Sequence, residues 1–397
     1  MRNRLSPAIL VVLLTLGMAP PPTHAEFIQT NLVSDIASLA PIPDANLKNP
    51  WGMSFSSGSP IWVSNQGSGT STLYNPLGSP VKQTLVVTIP TAGNGPPTGP
   101  TGQVFNSTTS DFMIPAPGST TVKAVFLFTT LDGTLQGWNP GSNAGLHASE
   151  PVMTDPHAVF TGLALANSGG SNYLYAADAT GSIHVFDSKF KEVTGTIFAS
   201  KFVDPNPVAG FTPYNIQKLG GNLFVTYAAA TNTGAPLPGG YVDEFDTAGN
   251  FIERIATNGP LNAPWGLAIA PGGFLPFSGD LLIGNLFDSK INAYNLTTPT
   301  PTFEGSITVN TGFASPVGLW AIAFGNGKTG NPEDLYFTAG VNDQKDGLFG
   351  FISSTPEPDS FTLLCVGLAA LAGYGLYRRY GKPFATSSPR SRVNART

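Results

Sequence analysis

Short runs of aromatic and β-branched residues recur along the chain, and Gly, Pro, Asn or Asp separates each run from the next. In the middle of the chain, for example, such runs cover residues 173–178, 182–187 and 193–198. Runs of this length bounded by turn residues are typical of strands joined by tight turns. The pattern therefore predicts an all-β fold of short antiparallel strands.

Similar short sequences mark the start of the first strand of each unit, and they recur at nearly even spacing along the chain. We take the third residue of each as a marker. The markers are Gly52, Gly102, Gly162, Asn215, Gly266 and Ala321. Each unit contains four strand-like runs, which predicts a six-bladed β-propeller of four-stranded antiparallel blades. Two β-sandwiches in tandem would also show many short strands. Even spacing and the absence of a central linker favour the propeller.

The sixth unit predicts how the ring closes. After the run at residues 348–352, the chain enters its C-terminal segment without a fourth strand. A strand-like run at residues 27–33 stands unused ahead of the first unit. We therefore expect the propeller to span residues 26–353, with the N-terminal strand closing the last blade.

The sequence at each end of the chain is typical of a targeting segment. Residues 1–25 show the basic start, apolar run and small-residue cleavage site of a secretory signal peptide. Residues 361–377 carry no charge and are followed by Arg378 and Arg379, a pattern that predicts a transmembrane helix with a cytoplasmic basic tail over residues 378–397. The domain between them would be exported across the inner membrane to the cell envelope or cell surface.

A linker at residues 354–360 contains Pro356, Glu357 and Pro358. This tripeptide, the apolar run and the Arg378-Arg379 pair together resemble the PEP-CTERM sorting signal of bacterial exported proteins. The resemblance implies two processing partners, a membrane transpeptidase of the exosortase type and a signal peptidase.

Three further runs, at residues 262–267, 318–327 and 335–340, resemble an uncharacterised bacterial family of secreted propeller-like proteins that carries this signal. The resemblance implies a fold and a cellular location. It implies no activity.

Charge narrows the choice of ligand. Charged residues make up only 11% of the chain, and residues 26–355 contain 11 basic and 22 acidic side chains, a formal charge of −11. This charge disfavours nucleic acid. Neutral, hydroxyl-rich ligands such as surface polysaccharide, or a protein partner, suit the surface better. No G-x-S-x-G elbow occurs, and the single cysteine, Cys365, lies in the predicted membrane segment.

Polar residues end or follow the second strand of several units, or stand at the opening of an inner strand. They are Asn65, Asp132, Asp178, Asn215, Asn262 and Asn285. Their side chains could fix hairpin turns by local hydrogen bonds. Alternatively, repetition around a ring could bring their oxygens to one axial site for Ca²⁺. The pattern is similar to that of calcium-dependent six-bladed lactonases, but the early glutamate ligand of those enzymes has no counterpart here.

Tryptophan recurs at the openings of three inner strands, as Trp51, Trp265 and Trp320. These indoles could pack between blades or stack on a sugar at the channel mouth. Two functions therefore stay open. One is a non-catalytic binding module, and the other is a calcium-dependent hydrolase or lactonase with its site in the central channel.

Overall fold

The computed structural model shows six antiparallel sheets whose innermost strands contact one another in sequence around a ring. The predicted six-bladed β-propeller is therefore confirmed, and it occupies the compact unit Phe27–Thr355. The structure describes residues 27–92, 98–229, 238–313, 318–355 and 360–380. The predicted signal peptide and the Pro356-Glu357-Pro358 tripeptide lie outside the described residues.

The strands follow one another along the chain in blade order. Two strands that join the last sheet come first, β1 (Phe27–Ser34) and β2 (Ile42–Pro43), and blade 1 then holds β3 (Pro50–Ser54), β4 (Ile61–Asn65), β5 (Thr70–Tyr74) and β6 (Lys82–Thr88). Blade 2 holds β7 (Pro100–Phe105), the separate hairpin β8 (Met113–Ala116) and β9 (Thr120–Lys123), then β10 (Phe126–Thr130), β11 (Thr134–Trp138) and β12 (Glu150–Thr154). Blade 3 holds β13 (Phe160–Ser168), β14 (Ser171–Asp178) and β15 (Ser182–Phe186).

The second half of the propeller is more regular. Blade 4 holds β16 (Phe211–Leu219), β17 (Asn222–Ala229), β18 (Tyr241–Phe245) and β19 (Phe251–Thr257). Blade 5 holds β20 (Pro264–Ile269), β21 (Leu281–Asn285), β22 (Lys290–Asn295) and β23 (Thr302–Thr308), and blade 6 holds β24 (Gly318–Phe324), β25 (Asp334–Val341) and β26 (Asp346–Ser354).

The ring closes as the sequence predicts. Strand β1 pairs antiparallel with β26, from Phe27 opposite Ser354 to Ser34 opposite Leu348. Val33 on β1 is fully buried against blade 1, whereas Ile28 on the same strand is 49% exposed. The first and last segments of the propeller are thus held in one sheet, and β1 takes the place of the missing outer strand of blade 6.

Blade 3 corrects the prediction that every blade has four strands. The backbone N–H of Val193 donates to the carbonyl of Val185, but the chain then turns, and residues 193–198 do not continue along β15. The turn places the ring of Phe198 in the core between blades 3 and 4, where it packs edge-on against Tyr173. Blade 3 therefore has a turn with a buried aromatic ring at the position where a fourth strand was predicted.

The repeated glycine markers have a common packing role. A Cβ atom on Gly52 would collide with the carbonyl oxygen of Thr101 on the next inner strand, and one on Gly102 would collide with the backbone of Leu163. The markers therefore allow neighbouring inner strands to approach at backbone distance. At the fourth marker, Asn215 instead donates its side-chain amide to the carbonyl of Trp265 on the following blade, at 2.8 Å.

Hydrophobic clusters fill the spaces between blades in the described part of the chain. One lies at each of the six blade junctions, and a seventh lies on the axis. The junction between blades 1 and 2, for instance, packs Trp62 on Phe126 with ring centroids 4.2 Å apart. Burial between blades, rather than within any one sheet, therefore supplies the core of the domain.

Beyond the propeller, the described residues form one helix, α1 (Ser360–Tyr380), with Arg378 and Arg379 exposed in its last turn. Among the residues that the structure describes, no helix is both long and apolar enough to cross a membrane. The prediction of a transmembrane helix over residues 361–377 is corrected accordingly. The run is at the short end of a membrane span, and Gly367, Gly373 and Tyr374 dilute its apolar residues.

Candidate functional site

Four aromatic rings from different blades meet at one end of the propeller axis. The rings of Trp51 and Trp320 stack with centroids 3.5 Å apart, and Trp265 meets both edge-on, at 6.2 Å and 5.8 Å. Tyr214 completes the group at 6.3 Å from Trp51. We call these four residues the axial aromatic cluster. All lie at the openings of inner strands, so the repeat itself brings them together.

Hydrogen bonds hold two of these indoles to other blades. Trp320 Nε1 donates to Asn49 Oδ1 at 3.0 Å, and Trp265 Nε1 reaches the carbonyl of Thr161 in blade 3 at 3.1 Å. The three indoles are only 1 to 6% exposed. They therefore pack against one another at this end of the channel, as the interblade interpretation predicted, rather than presenting open faces to solvent.

Below the axial aromatic cluster lies a cavity of about 340 Å³. All six blades line it, through residues 52–55, 102–105, 107, 163–165, 215–218, 265, 321 and 322. Lining residues near the aromatic end, such as Trp265 and Ala321, are buried. Ser107, two residues beyond the end of β7, and Lys218, near the end of β16, are exposed. The cavity is therefore blind at the aromatic end and opens at the other. We call it the axial cavity.

Neutral polar groups stand within this lining. Gln103 donates its Nε2 to Ser54 Oγ at 2.8 Å and accepts from Ser64 Oγ at 2.8 Å, so its amide is fixed. Gln217 is half-buried near the opening. Among the described residues of the lining, one side chain is titratable, that of Lys218, which donates to the carbonyl of Gly220 at 2.9 Å.

The two predicted carboxylate ligands accept hydrogen bonds from nearby donors. Asp132 accepts from the backbone N–H of Ala92 at 2.5 Å and from the hydroxyl of Thr130. Asp178 Oδ1 accepts from the backbone N–H groups of Val159 and Thr180, each at 2.9 Å. The bonds from Thr130 and Thr180 are local ones of the kind found in turns, whereas Ala92 and Val159 lie 40 and 19 residues away along the chain.

The four predicted asparagine ligands fall into two kinds. Asn65 and Asn285 end equivalent strands, and both are fully buried with a side-chain oxygen that accepts no hydrogen bond. Their amides donate to Thr72 and to the carbonyl of Pro260, respectively. Asn215 bridges to blade 5, as described above, and Asn262 is half-buried. In the part of the chain that is described, no group of three or more His, Cys, Asp or Glu side chains could hold a metal ion. The calcium site stays a prediction.

A histidine outside the axial cavity lies between two carboxylates. His184 Nε2 is 3.2 Å from Asp178 Oδ2, and Nδ1 is 2.9 Å from Glu192 Oε1. Burial disfavours the charged imidazolium, but the hydrogen bond to Asp178 and the charge of Glu192 outweigh it and raise the pKa of His184. Burial also opposes the charged form of Asp178, yet the hydrogen bonds from His184 and Thr180 lower the pKa of that carboxyl. The sequence placed His184 only as a mid-strand residue.

The sequence-based analysis missed the polar lining of the axial cavity. Ser54 and Gln217 each lie two residues beyond a marker position, and Gln103 follows its marker directly. Each inner strand runs from the aromatic end of the channel to its open end. Residues downstream of the markers could therefore have been predicted to lie toward the open end.

No protein-family model matches the chain. Among solved structures, the aldose sugar dehydrogenase of Escherichia coli is similar with a TM-score of 0.47 and 14% identity, covering 83% of this chain and 100% of the enzyme. A streptogramin B lyase is similar with a TM-score of 0.42 and 13% identity, covering 83% of this chain and 98% of the lyase. Similarity at this level does not extend to function.

Two relatives are uncharacterised proteins of Acanthamoeba polyphaga mimivirus. One is 31% identical over 335 residues, covering 81% of this chain and 78% of its own length. The other is 30% identical over 332 residues, covering 80% and 83%. The predicted membership of a bacterial PEP-CTERM family is therefore wrong. The sorting role given to the Pro-Glu-Pro tripeptide and to Arg378 and Arg379 stays a prediction. The chain belongs to the family that includes these mimivirus proteins.

Proposed function

We propose that the protein is a non-catalytic binding module whose ligand site is the axial cavity. The observation that carries this proposal is the shape of the channel, which is blocked at one end by the axial aromatic cluster and open at the other. At about 340 Å³, the axial cavity is at the small end of ligand sites, which span roughly 300 to 1,000 Å³. It suits a small molecule or the end of a chain of surface polysaccharide, one of the two partner classes expected from the sequence.

Contacts at the predicted metal ligands favour this function over a calcium-dependent hydrolase or lactonase. Calcium needs several oxygens with free lone pairs around one point. The carboxylates of Asp132 and Asp178 accept hydrogen bonds from backbone and hydroxyl groups, and the unpaired oxygens of Asn65 and Asn285 belong to two different blades, 1 and 5. Within the described chain, the lining of the axial cavity adds one titratable side chain, Lys218, and no Asp, Glu or His.

A blocked-mouth variant tests the proposal. Gln217→Trp places a bulky ring at the opening, where the native side chain is half-buried. Thr84→Trp, on the exposed face of the outer strand β6, is the matched control. Ligand-observed NMR with a panel of neutral sugars, sugar acids and decanoate should show a compound that binds the native protein and the control but not Gln217→Trp. A bound compound that Gln217→Trp does not affect would contradict the proposal.

We further propose that the domain is exported to the cell envelope or cell surface. The support is the signal-peptide pattern of residues 1–25, together with a surface low in charge. Expression of the full chain in a bacterial host, followed by N-terminal sequencing of the extracytoplasmic fraction, should give a mature protein that begins at or near Glu26. Recovery of the intact N-terminus in the cytoplasm alone would contradict export.

A further inference from the structure

We infer that the axial cavity selects a neutral, hydroxyl-rich molecule, a sugar of one or two rings. This inference rests on the proposed function, since it names the ligand class of the same site. It draws on four properties of the axial cavity: the edges of the strands that form its wall, the free polar side chains at its mouth, its charge, and its aromatic surfaces.

The wall of the axial cavity is made of strand edges. In every blade the innermost strand is the last strand of its sheet, so it pairs with a neighbour on one side only. The backbone N–H and C=O groups on its other side face the axis. A ring of six such edges presents alternating donors and acceptors. Hydroxyl groups can both donate and accept, and so they match such a wall.

Side chains near the opening add further neutral hydrogen-bonding groups. Gln217 lines the cavity, and its amide makes no hydrogen bond within the described part of the chain. The Ser54 hydroxyl accepts from Gln103 and keeps its own proton to donate. An amide and a hydroxyl are well suited to sugar hydroxyls, because each can donate and accept.

Charge argues against an ionic ligand. Where the structure describes the lining, its only titratable residue is Lys218, which is exposed and already donates to the carbonyl of Gly220. An ion that enters the axial cavity beyond Lys218 would lose its hydration shell without gaining an opposite charge, which is unfavourable. A neutral ligand avoids this cost.

Aromatic and aliphatic surfaces complete the lining. Trp265 lies at the blind end, and Phe55 and Phe105 lie toward the opening. The rings of Phe55 and Phe105 can pack against the C–H faces of a sugar ring while the backbone edges take its hydroxyls. Among the three tryptophans first considered for stacking, Trp265 is the one that contributes to the cavity wall.

The test uses pairs of probes that differ in charge. Glucose is compared with gluconate, and maltose and N-acetylglucosamine are compared with decanoate, by ligand-observed NMR titration of the folded protein. We expect saturable binding of at least one neutral sugar. Gln217→Ala should weaken it about three- to tenfold, because one or two neutral hydrogen bonds are lost. Gln217→Trp should abolish it, and Thr84→Trp should leave it unchanged.

Lys218→Gln separates the two ligand classes. The affinity for a neutral sugar should change less than twofold in Lys218→Gln, because a neutral sugar forms no ion pair with Lys218. For the same reason, this affinity should not depend on added salt. If gluconate or decanoate binds, is excluded by Gln217→Trp and is weakened by Lys218→Gln, the sugar inference is overturned while the proposed function stands. If no probe binds, or if sugar binding survives in Gln217→Trp, both fail.

Discussion

The indole of Trp51 in the first blade stacks on that of Trp320 in the last, with ring centroids 3.5 Å apart and planes 20° from parallel. The contact joins the two blades between which the chain closes its ring. Thr338 strengthens the same junction, because its hydroxyl donates to the carbonyl of Trp51 at 2.7 Å. Near the axis, aromatic stacking thus holds the first and last blades together. Farther from the axis, the pairing of β1 with β26 closes the ring.

Truncation of the stacked ring should therefore be severe. Trp320 is 1% exposed, and Trp320→Ala would leave a cavity in the axial aromatic cluster and release Asn49 from its hydrogen bond. We expect the free energy of unfolding to fall by about 3 to 5 kcal/mol. Urea denaturation measures it. Trp320→Phe, which keeps an aromatic ring, should cost clearly less, and equal losses for the two variants would refute the packing role.

Closure by β1 can be tested with two residues of one strand. Val33→Ala removes a fully buried side chain at the junction with blade 1, and Ile28→Ala alters a side chain that is 49% exposed. The first change should cost about 1 to 3 kcal/mol and the second less than about 0.5 kcal/mol. Thermal unfolding distinguishes them. Equal effects would mean that β1 does not anchor the ring through Val33.

The marker glycines give a third test. Gly102→Ala would drive a methyl group into the backbone of Leu163, whereas Gly195→Ala places one in open space. We expect a loss of about 1 to 3 kcal/mol for the first and little change for the second. A stable Gly102→Ala variant would mean that close approach of inner strands is not what the marker provides.

The His184 pair predicts a particular pH dependence. The raised pKa of His184 adds stability that is fully present below its unfolded value, near 6.5, and is lost as pH rises through the folded pKa. The lowered pKa of Asp178 adds stability above its unfolded value, which is lost as pH falls through the folded pKa. The pair therefore stabilises the protein most at pH values between the two unfolded values, 3.8 and 6.5, and this stability is lost as the pH passes either folded pKa.

NMR titration of the His184 ring checks this account. The midpoint should lie above the ordinary histidine value, and Glu192→Gln should lower it, because the charge of Glu192 favours the imidazolium. An unchanged midpoint in Glu192→Gln would contradict the account.

The turn interpretation of Asp132 can be separated from the calcium interpretation. Asp132→Ala removes acceptors for Ala92 and Thr130 and should cost about 1 kcal/mol, whether calcium or a chelator is present. Asp343→Ala is the control, since that carboxyl is 63% exposed. A melting temperature of the native protein that falls on addition of EDTA would instead support the metal site.

Much of the fold could be predicted because its determinants repeat along the sequence. The markers from Gly52 to Ala321 establish the number of blades, and the missing strand after Ile352 identifies its replacement at residues 27–33. The turn at residues 193–198 could not be predicted, since its sequence alternates like a strand and only tertiary burial of Phe198 bends it away.

The candidate site was less accessible to sequence reasoning. The repeat placed Trp51, Trp265 and Trp320 at equivalent positions, but whether they face one another or solvent depends on the width of the ring. The axial cavity was missed because Ser54 and Gln217 lie on ordinary strands. Their importance comes from six strand ends converging on one opening, which no single unit of the sequence displays.

Methyl NMR of the isoleucine side chains tests the central claim most directly. Ile216 and Ile322 line the axial cavity, whereas Ile197 and Ile252 are 61% and 44% exposed elsewhere on the propeller. Titration with a neutral sugar such as maltose should shift the methyl signals of Ile216 and Ile322 in a saturable way and leave those of Ile197 and Ile252 in place. Saturable shifts at Ile197 or Ile252, with the cavity methyls unmoved, would contradict the assignment of the axial cavity as the ligand site.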